Sequence, residues 1–393
     1  MLCISDNSSE KVENIIHNLI KYVESENFCG YDPYDALNSP ILHLLGKSSK
    51  FLKIAFTQAL RRSSINLRPL IGIDKSYNHK GMGLFLSSYV NLYRIYKDER
   101  YLGNIEFIAD WLIKNHSKGY SGYCWGYNFD WQNRSFFAPK ETPTIVNTSF
   151  IGHAFLDAYE VSHSDELLNI ARSACDFIIN DLNIYQENGF ICFSYTPIDK
   201  SRVYNANYLG ASLLVRTYSF THEDNLLDYA LKAYEYCTRR QKEDGSWTYG
   251  EAENQKWIDS FHTGFNLEAL HWYEKCLNDG KYKDQIVKGL RFYLDNFFLD
   301  DGTPKYYHNT VYPINIHCSA QAFVSLSKLK DYDSRTTQIL EKVFQWTMNN
   351  MRDKNYFYYQ KHKFYKNKIS YMRWSQAWML YALTALLLGR NFP

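Results

Sequence analysis

Six apolar segments of helical periodicity recur along this 393-residue chain at almost even spacing. They start near residues 81, 147, 206, 262, 315 and 371, at steps of 66, 59, 56, 53 and 56 residues. Each of the first five is followed, after a short turn, by a second helical segment. MGLFLSSYVNLYRIY leads to YLGNIEFIADWLIKNH, NTSFIGHAFLDAYEV to DELLNIARSACDFIINDL, and ANYLGASLLVRTYSF to DNLLDYALKAYEYCTRRQ. HTGFNLEALHWYEKCL pairs likewise with YKDQIVKGLRFYLDNFF, and NIHCSAQAFVSLSKL with RTTQILEKVFQWTMNNM. YMRWSQAWMLYALTALLL stands alone at the end. A hairpin repeated at this period buries its apolar face only against its neighbours, so the repeat dictates stacking. Six first helices and five second ones leave one partner missing, and the apolar-periodic helix Lys11–Ser25 supplies it. The expectation is an all-α, (α/α)6 toroid closed by its own N-terminal helix, with residues 1–393 as one domain.

First helices carry small residues (Gly152, Ala154, Gly210, Ala211, Gly264, Ser319, Ala320) that allow close backbone approach in an inner ring. Second helices carry more charge, as an outer ring facing water requires. Short aromatic pieces with turn chemistry, GFICFSYTP, DGSWTYG, DGTPKYY and NYFYYQKHKFY, precede inner helices and read as strand-like edges. All of them gather at one end of a ring. Residues 28–79, containing YDPYD and NLRPL and little periodicity beyond FLKIAFTQALRR, read as a cap over that end.

Basic and acidic residues nearly cancel, 44 against 42, so the chain lacks the electrostatic footprint that nucleic acid selects. Aromatics reach 17%, with 34 Tyr, an excess that suits both packing and stacking on sugar rings. The eight cysteines form no CxxC pair and several, Cys175, Cys237 and Cys276, fall at apolar helical positions, which fits a reducing compartment. The N-terminal residues lack the pattern of a signal peptide, and no apolar run reaches a membrane span. A cytoplasmic protein is therefore expected. Phosphate-loop, dinucleotide, nucleophile-elbow and HExxH motifs are absent, and neither a metal nor another cofactor is called for. YCTRRQKEDGSW resembles the Gln and Trp repeat of terpene cyclases, but occurs once and without an accompanying DxDD.

Starts of inner helices converge on one cavity in such a ring, which singles out Lys80, Asn147, Asn205, Asn207, Asp259, His262, Asn315, His317, Tyr371, Arg373 and Gln376. Asn147, Thr148 and Asn315 suit N-caps equally well. Asp259 and His262 in WIDSFHTGFNLEAL form the strongest cluster, because a carboxylate beside an imidazole raises its basicity and fixes its tautomer. His317 stands at the corresponding point one repeat later, so two facing histidines can move a proton across a sugar carbon. In the cap, Asp32, Asp35 and Arg68 are the notable charges. Arg68 or Arg373 either clamps a carboxylate or phosphate or pairs with Asp32 or Asp35 to pin the cap. Trp125, Trp131, Trp247, Trp257 and Trp374 lie in or beside the loops as stacking platforms or as packing.

With YDPYDALNSPIL, NLRPLIGI, IDSFHTGFNLEAL and RWSQAWMLYAL, the chain resembles proteins of bacterial exopolysaccharide and capsule clusters over nearly its whole length. The resemblance implies a role in surface-polysaccharide biosynthesis, alongside other assembly proteins. It also implies a toroid like those of six-hairpin glycosidases, sugar 2-epimerases and uronate lyases. It transfers no catalytic residue. The expected activity is acid-base chemistry of epimerase or lyase type on a sugar or oligosaccharide, with catalytic His262, His317, Asp259 and Arg373. Substrate contacts are expected from Asp32, Asp35, Arg68, Lys80, Trp125, Asn147, Asn207, Trp247, Trp374 and Gln376. A six-hairpin hydrolase using Asp32 or Asp35 and a non-catalytic glycan-binding or scaffold protein are the alternatives.

Overall fold

In the computed structural model, residues 6–47, 49–132 and 136–391 are described. The chain opens with α1 (Asp6–Ser25), followed by two short helices, α2 (Pro40–Gly46) and α3 (Lys50–Arg62). Five hairpins come next. They are α4 (His79–Tyr96) with α5 (Arg100–Lys114), α6 (Ile145–Ser162) with α7 (Asp165–Asn180), and α8 (Tyr204–Thr221) with α9 (Asp224–Thr238). Then follow α10 (Ser260–Leu277) with α11 (Lys283–Phe297), and α12 (Ile316–Lys328) with α13 (Arg335–Asn350). The last inner helix begins as a π-helical stretch, Met372–Ala377, and continues as α14 (Trp378–Asn391).

Inner helices pack in order, α4 on α6, α8, α10, α12 and α14 in turn, and α14 returns to α4. The ring is closed, and α1 lies against α14 as its outer partner. The chain is an (α/α)6 toroid. In α8 every residue from Tyr204 to Thr217 is buried, whereas its partner α9 buries one stripe, Leu226, Ala230, Ala233, Tyr234 and Cys237 among it. Such one-sided burial is the amphipathic pattern of an outer layer. α1 does the same through Val12, Ile15, Ile16, Leu19 and Val23, spaced at three and four residues. Close approach in the inner ring needs glycine at specific points: a Cβ on Gly152 would sit 2.6 Å from Leu213 Cδ2.

Only some aromatic loops are strands. GFICFSYTP lies in the hairpin of β3 (Ile184–Glu187) and β4 (Phe190–Phe193), preceded by β1 (Trp131–Gln132) and β2 (Phe137–Ala138), which also pair. β5 (Ile314–Asn315), β6 (Gln360–Lys361) and β7 (Lys366–Asn367) form a small three-stranded sheet. DGSWTYG and DGTPKYY are turns held by isolated bridges, the first by Val203 to Gly250 and the second by Phe298 to Pro304 and Asp259 to Tyr307. Their Gly245 and Gly302 at φ of 89° and 87° favour a turn over a ladder. The Gln and Trp motif reports packing: Gln241 donates to the Gly245 and Gln285 carbonyls, and the buried Trp247 donates to Cys237 O at 3.1 Å. Among the described residues the cysteines are free thiols, and Cys3 lies outside them.

Four histidines, His79 and His317 buried and His153 and His271 half-buried, set an acid limit on this core. Burial lowers His317 and His153 well below the ordinary imidazole range, His79 to about 4 and His271 to about 3. Each is neutral in the folded chain while its unfolded counterpart takes up a proton below about 6.5, so the unfolded state binds more protons and stability falls with acidification. His79 alone accounts for about 3 kcal/mol between pH 6.5 and its folded value. Denaturation followed by circular dichroism should show a falling midpoint across that window, and His79→Gln should flatten it. A midpoint independent of pH would contradict the burial of these rings.

Candidate functional site

The loops preceding the inner helices, with α3 and Tyr34, enclose a cavity of about 710 Å³. Its wall is aromatic, from Tyr34, Tyr127, Phe129, Trp131, Tyr195, Tyr249, Trp257, Tyr306 and Trp374, and its charged groups are Arg61, Arg62, Lys80 and Arg373. No Asp or Glu occurs among the described residues that line it. His262 and His317 both lie in the wall.

Asp259 is the N-cap of α10, and its Oδ1 accepts from His262 N at 3.1 Å. Its Oδ2 accepts from His262 Nδ1 at 2.7 Å and from Trp257 Nε1 at 2.9 Å. The extended cap residue and the first helical turn thus bring carboxylate and imidazole together without any distant contact. With Nδ1 carrying the proton toward Asp259, Nε2 keeps a lone pair on the cavity side, the tautomer a general base requires. Tyr249 packs edge-on to this imidazole at 4.7 Å and stacks on Trp257 at 4.5 Å.

His317 is held differently. Its ring stacks on Phe261 at 4.4 Å and lies 4.3 Å from Trp378 and 4.9 Å from Trp374. Neither ring nitrogen has a hydrogen-bond partner. Burial, reinforced by Lys80, His262 and Arg373, lowers its pKa far below the ordinary value. The two imidazoles touch the same Phe261 ring but are not equivalent, one anchored by a carboxylate and one neutral in an aromatic box.

Lys80, in the first turn of α4, sits over Phe150 at 4.1 Å and Trp378 at 5.1 Å. Burial, and then Arg373, pushes its ammonium well below the usual lysine range. Arg373 comes from the π-helical stretch, an irregularity frequent at functional sites. Its Nε and Nη2 bind Asp32 Oδ2 and Oδ1 at 2.6 and 2.8 Å, with Nη1 left over. Burial alone would lower the guanidinium; Asp32 outweighs it and holds it charged. Trp374 lines the cavity and donates Nε1 to Asn315 Oδ1 at 2.9 Å. Among the described residues no three His, Cys, Asp or Glu side chains converge as metal ligands would.

Several expected contacts lie elsewhere. Asp32, Asp35 and Arg68 are buried behind the wall: Arg68 Nε pairs with Asp35 Oδ1 at 2.7 Å, and Asp32 is occupied by Arg373. Burial raises Asp35 to about 6 against the opposing pull of Arg68. The Asp32–Arg373 pair fastens residues 32–68 to the toroid, the Arg68–Asp35 pair ties that segment's two ends together, and neither Asp32 nor Asp35 is left for hydrolysis. Trp125 and Trp247 are fully packed, Trp125 donating to Leu112 O at 2.9 Å, so neither offers a face to sugar. Asn207 is consumed by Phe193 N and the Ile191 and Ala233 carbonyls. Gln376 bonds both backbone groups of Phe357. Asn147 is buried inside α6, and Thr144 caps that helix in its place. Arg61 was not anticipated: it lines the cavity, donates Nε to Tyr359 Oη at 3.1 Å and packs over Tyr34 at 5.3 Å. Its place in FLKIAFTQALRR carries no local signal. Tyr249 and Tyr306, in contrast, stand in the aromatic turns already marked.

A Glycosyl Hydrolase Family 88 profile matches residues 74–243. No protein of curated function matches the chain by sequence. Solved structures share its fold. A cellobiose 2-epimerase from Bacillus thermoamylovorans superposes with a TM-score of 0.63 at 14% identity, over 80% of this chain and 88% of that one. A sugar epimerase from a ruminal bacterium gives 0.64 at 12%, over 82% and 91%. A glycosyl hydrolase family 88 protein from Bacteroides vulgatus gives 0.61 at 10%, over 97% and 98%. The toroid is thus of the kind used by six-hairpin glycosidases and sugar epimerases, and at these identities the likeness concerns fold.

Proposed function

We propose that this chain is a carbohydrate-processing enzyme whose chemistry is proton abstraction from a sugar carbon, in epimerisation or elimination. The observation that carries this reading is the Asp259–His262 pair facing a cavity with no carboxylate among its described lining residues. Hydrolysis of a glycosidic bond generally uses two carboxyl groups flanking it, about 5–10 Å apart. The profile match favours hydrolysis, yet the wall supplies bases and cations in place of that pair. In our reading His262 Nε2 takes the proton, and charge developing on the adjacent carbonyl is met by Lys80 and the free Nη1 of Arg373. In epimerisation a wall phenol or water then returns a proton to the opposite face of the carbon, and in elimination the β-substituent leaves with the proton held by His262. The neutral His317 hydrogen-bonds the ring hydroxyls, and buried phenols such as Tyr249 and Tyr306, raised by burial, remain protonated as donors. This departs from a symmetrical exchange between two histidines, because an aromatic box disfavours imidazolium at His317. Cations without lining counter-charge favour an acidic sugar.

The motifs shared with exopolysaccharide and capsule proteins support a place in surface-polysaccharide assembly inside a bacterial cell, next to other assembly proteins. The test is incubation of the purified chain in D₂O with uronic-acid and amino-sugar monosaccharides and oligosaccharides, followed by NMR. Solvent deuterium at one sugar carbon, or a new unsaturated product, is the expected result. Release of a reducing sugar with neither would identify a hydrolase, and binding without turnover a glycan-binding protein.

A further inference from the structure

Lys80 stands where a lysine with only a structural duty would not. It is the second residue of α4, in the first turn, where unpaired backbone N–H groups carry partial positive charge and disfavour a cation. Lys80 is 3% exposed, yet none of the described residues gives it a hydrogen bond or an ion pair. Its Nζ lies over the rings of Phe150, Phe265 and Trp378, at 4.1, 5.5 and 5.1 Å from their centres, and the residue lines the cavity. Lys328, at the end of α12, is by contrast paired with Glu268 Oε2 at 2.7 Å and kept charged.

An ammonium shut away from bulk water with no acceptor for its protons is costly. Burial, and then the neighbouring Arg373, drives Lys80 toward the neutral amine against the opposing pull of Asp32. Gly81 lets the two stretches approach, since a Cβ there would come within 3.3 Å of Arg373 Cβ. A neutral lysine carries a lone pair and is a nucleophile at ordinary pH. The proposed base stands beside it: the Nζ of Lys80 and the imidazole of His262 lie 5.5 and 5.8 Å from the centre of the same Phe265 ring. Nucleophile and base therefore share one wall of the cavity.

We infer that Lys80 is a Schiff-base nucleophile that captures the carbonyl carbon of an open-chain reducing sugar. The inference rests on the reading above, in which a proton is removed beside a sugar carbonyl, and replaces the polar contact from Lys80 with a covalent bond. Nζ adds to the carbonyl carbon and passes a proton to its oxygen, giving a carbinolamine. With one further proton from solvent the hydroxyl leaves as water, and a C=N⁺ bond remains. His262 Nε2 then removes the proton from the adjacent carbon, and the electron pair of that C–H bond moves toward C=N⁺ to give a neutral enamine. Protonation of the carbon and addition of water run the sequence back and free the amine. The iminium withdraws electrons more strongly than the carbonyl it replaces, and three ring faces hold its charge where no carboxylate pairs with it.

Reductive trapping tests this with a probe that does not presuppose the sugar. Glycolaldehyde is small enough to enter a cavity of about 710 Å³. The full chain is treated with it and sodium cyanoborohydride near neutral pH, and the labelled lysines are located by peptide mass mapping. Exposed lysines such as Lys97 and Lys242, with pKa values about 10.4, are almost wholly protonated there. Lys80 should be labelled at least about tenfold faster than either. Lys80→Arg keeps a cation but forms no imine, and should lose the deuterium uptake expected above by at least about 10²-fold. Lys80→Met, which fits the same aromatic box, should be equally inactive with an unchanged or higher thermal midpoint, so that lost activity is not lost fold. Labelling of Lys80 no faster than of the exposed lysines overturns the inference. So does a Lys80→Arg chain that keeps its deuterium uptake within about tenfold, which would assign Lys80 to charge stabilisation. His262→Ala should lose deuterium uptake and keep the label. Fast labelling of an unaltered chain that takes up no deuterium would leave the nucleophile standing and remove the proton-abstraction reading, so the two fail separately.

Discussion

His262→Ala should lower turnover by about 10²- to 10⁴-fold while leaving sugar affinity within about tenfold, the loss expected when a general base is removed. Asp259→Asn isolates the reason. Asn caps a helix as well as Asp does, so the first turn of α10 and the stability of the chain should survive. What is lost is the charge that holds the proton on Nδ1 and supports the imidazolium formed during the reaction. Turnover should fall nearly as far as in His262→Ala. The doubly substituted chain should be no worse than the poorer single one, because the two groups act as a unit. Asp259→Ala adds the loss of the cap, about 1 kcal/mol in urea denaturation. Full activity in Asp259→Asn would reduce the pair to a structural cap, and full activity in His262→Ala would end the proposed chemistry.

The ring could be read from the sequence because its determinants are local and repeated. Periodicity places each helix, and the count of first and second helices demands the closing role of α1. The Asp259–His262 pair was equally legible, since an N-cap and the third residue after it are neighbours by geometry. Arg61 was not, since α3 reaches the cavity only through tertiary packing. Asn147 and Asn207 show the reverse failure. They stand near the repeat position of His262, Asn147 at the same third place after its cap, yet both side chains are buried in the wall, where the Ile191 and Ala233 carbonyls claim Asn207. For Trp125 and Trp247 the sequence leaves stacking platform and packing equally open; their indole N–H groups reach carbonyls of the preceding outer helices, a contact invisible without coordinates. Arg373 is expected at the cavity and lines it, but the π-helical stretch that carries it is one no propensity distinguishes from the α-helix that follows.

Asp32→Ala should destabilise the chain by about 3–5 kcal/mol, because it leaves the Arg373 guanidinium buried without a counter-charge. The effect is sharpened by Lys80, whose ammonium is already depressed by burial and by Arg373 while Asp32 opposes the shift. Removing Asp32 takes away the opposing carboxylate and depresses Lys80 further. Arg373→Met should cost a comparable amount through the stranded carboxylate. With both substitutions together the two charges leave at once, and most of the loss should be recovered. Urea midpoints at constant m-value measure this, and additive losses would show that the pair is not what fastens residues 32–68 to the last inner helix. The bonds of Arg61 to Tyr359 and of Asn367 to the Ser63 carbonyl remain in every variant, so the segment keeps other anchors and the comparison stays within a folded chain. The recovered double variant should still lack affinity for acidic sugars, because Nη1 of Arg373 is gone from the wall. Stability restored without binding would separate the two duties of this arginine, to Asp32 on one edge and to the cavity on the other.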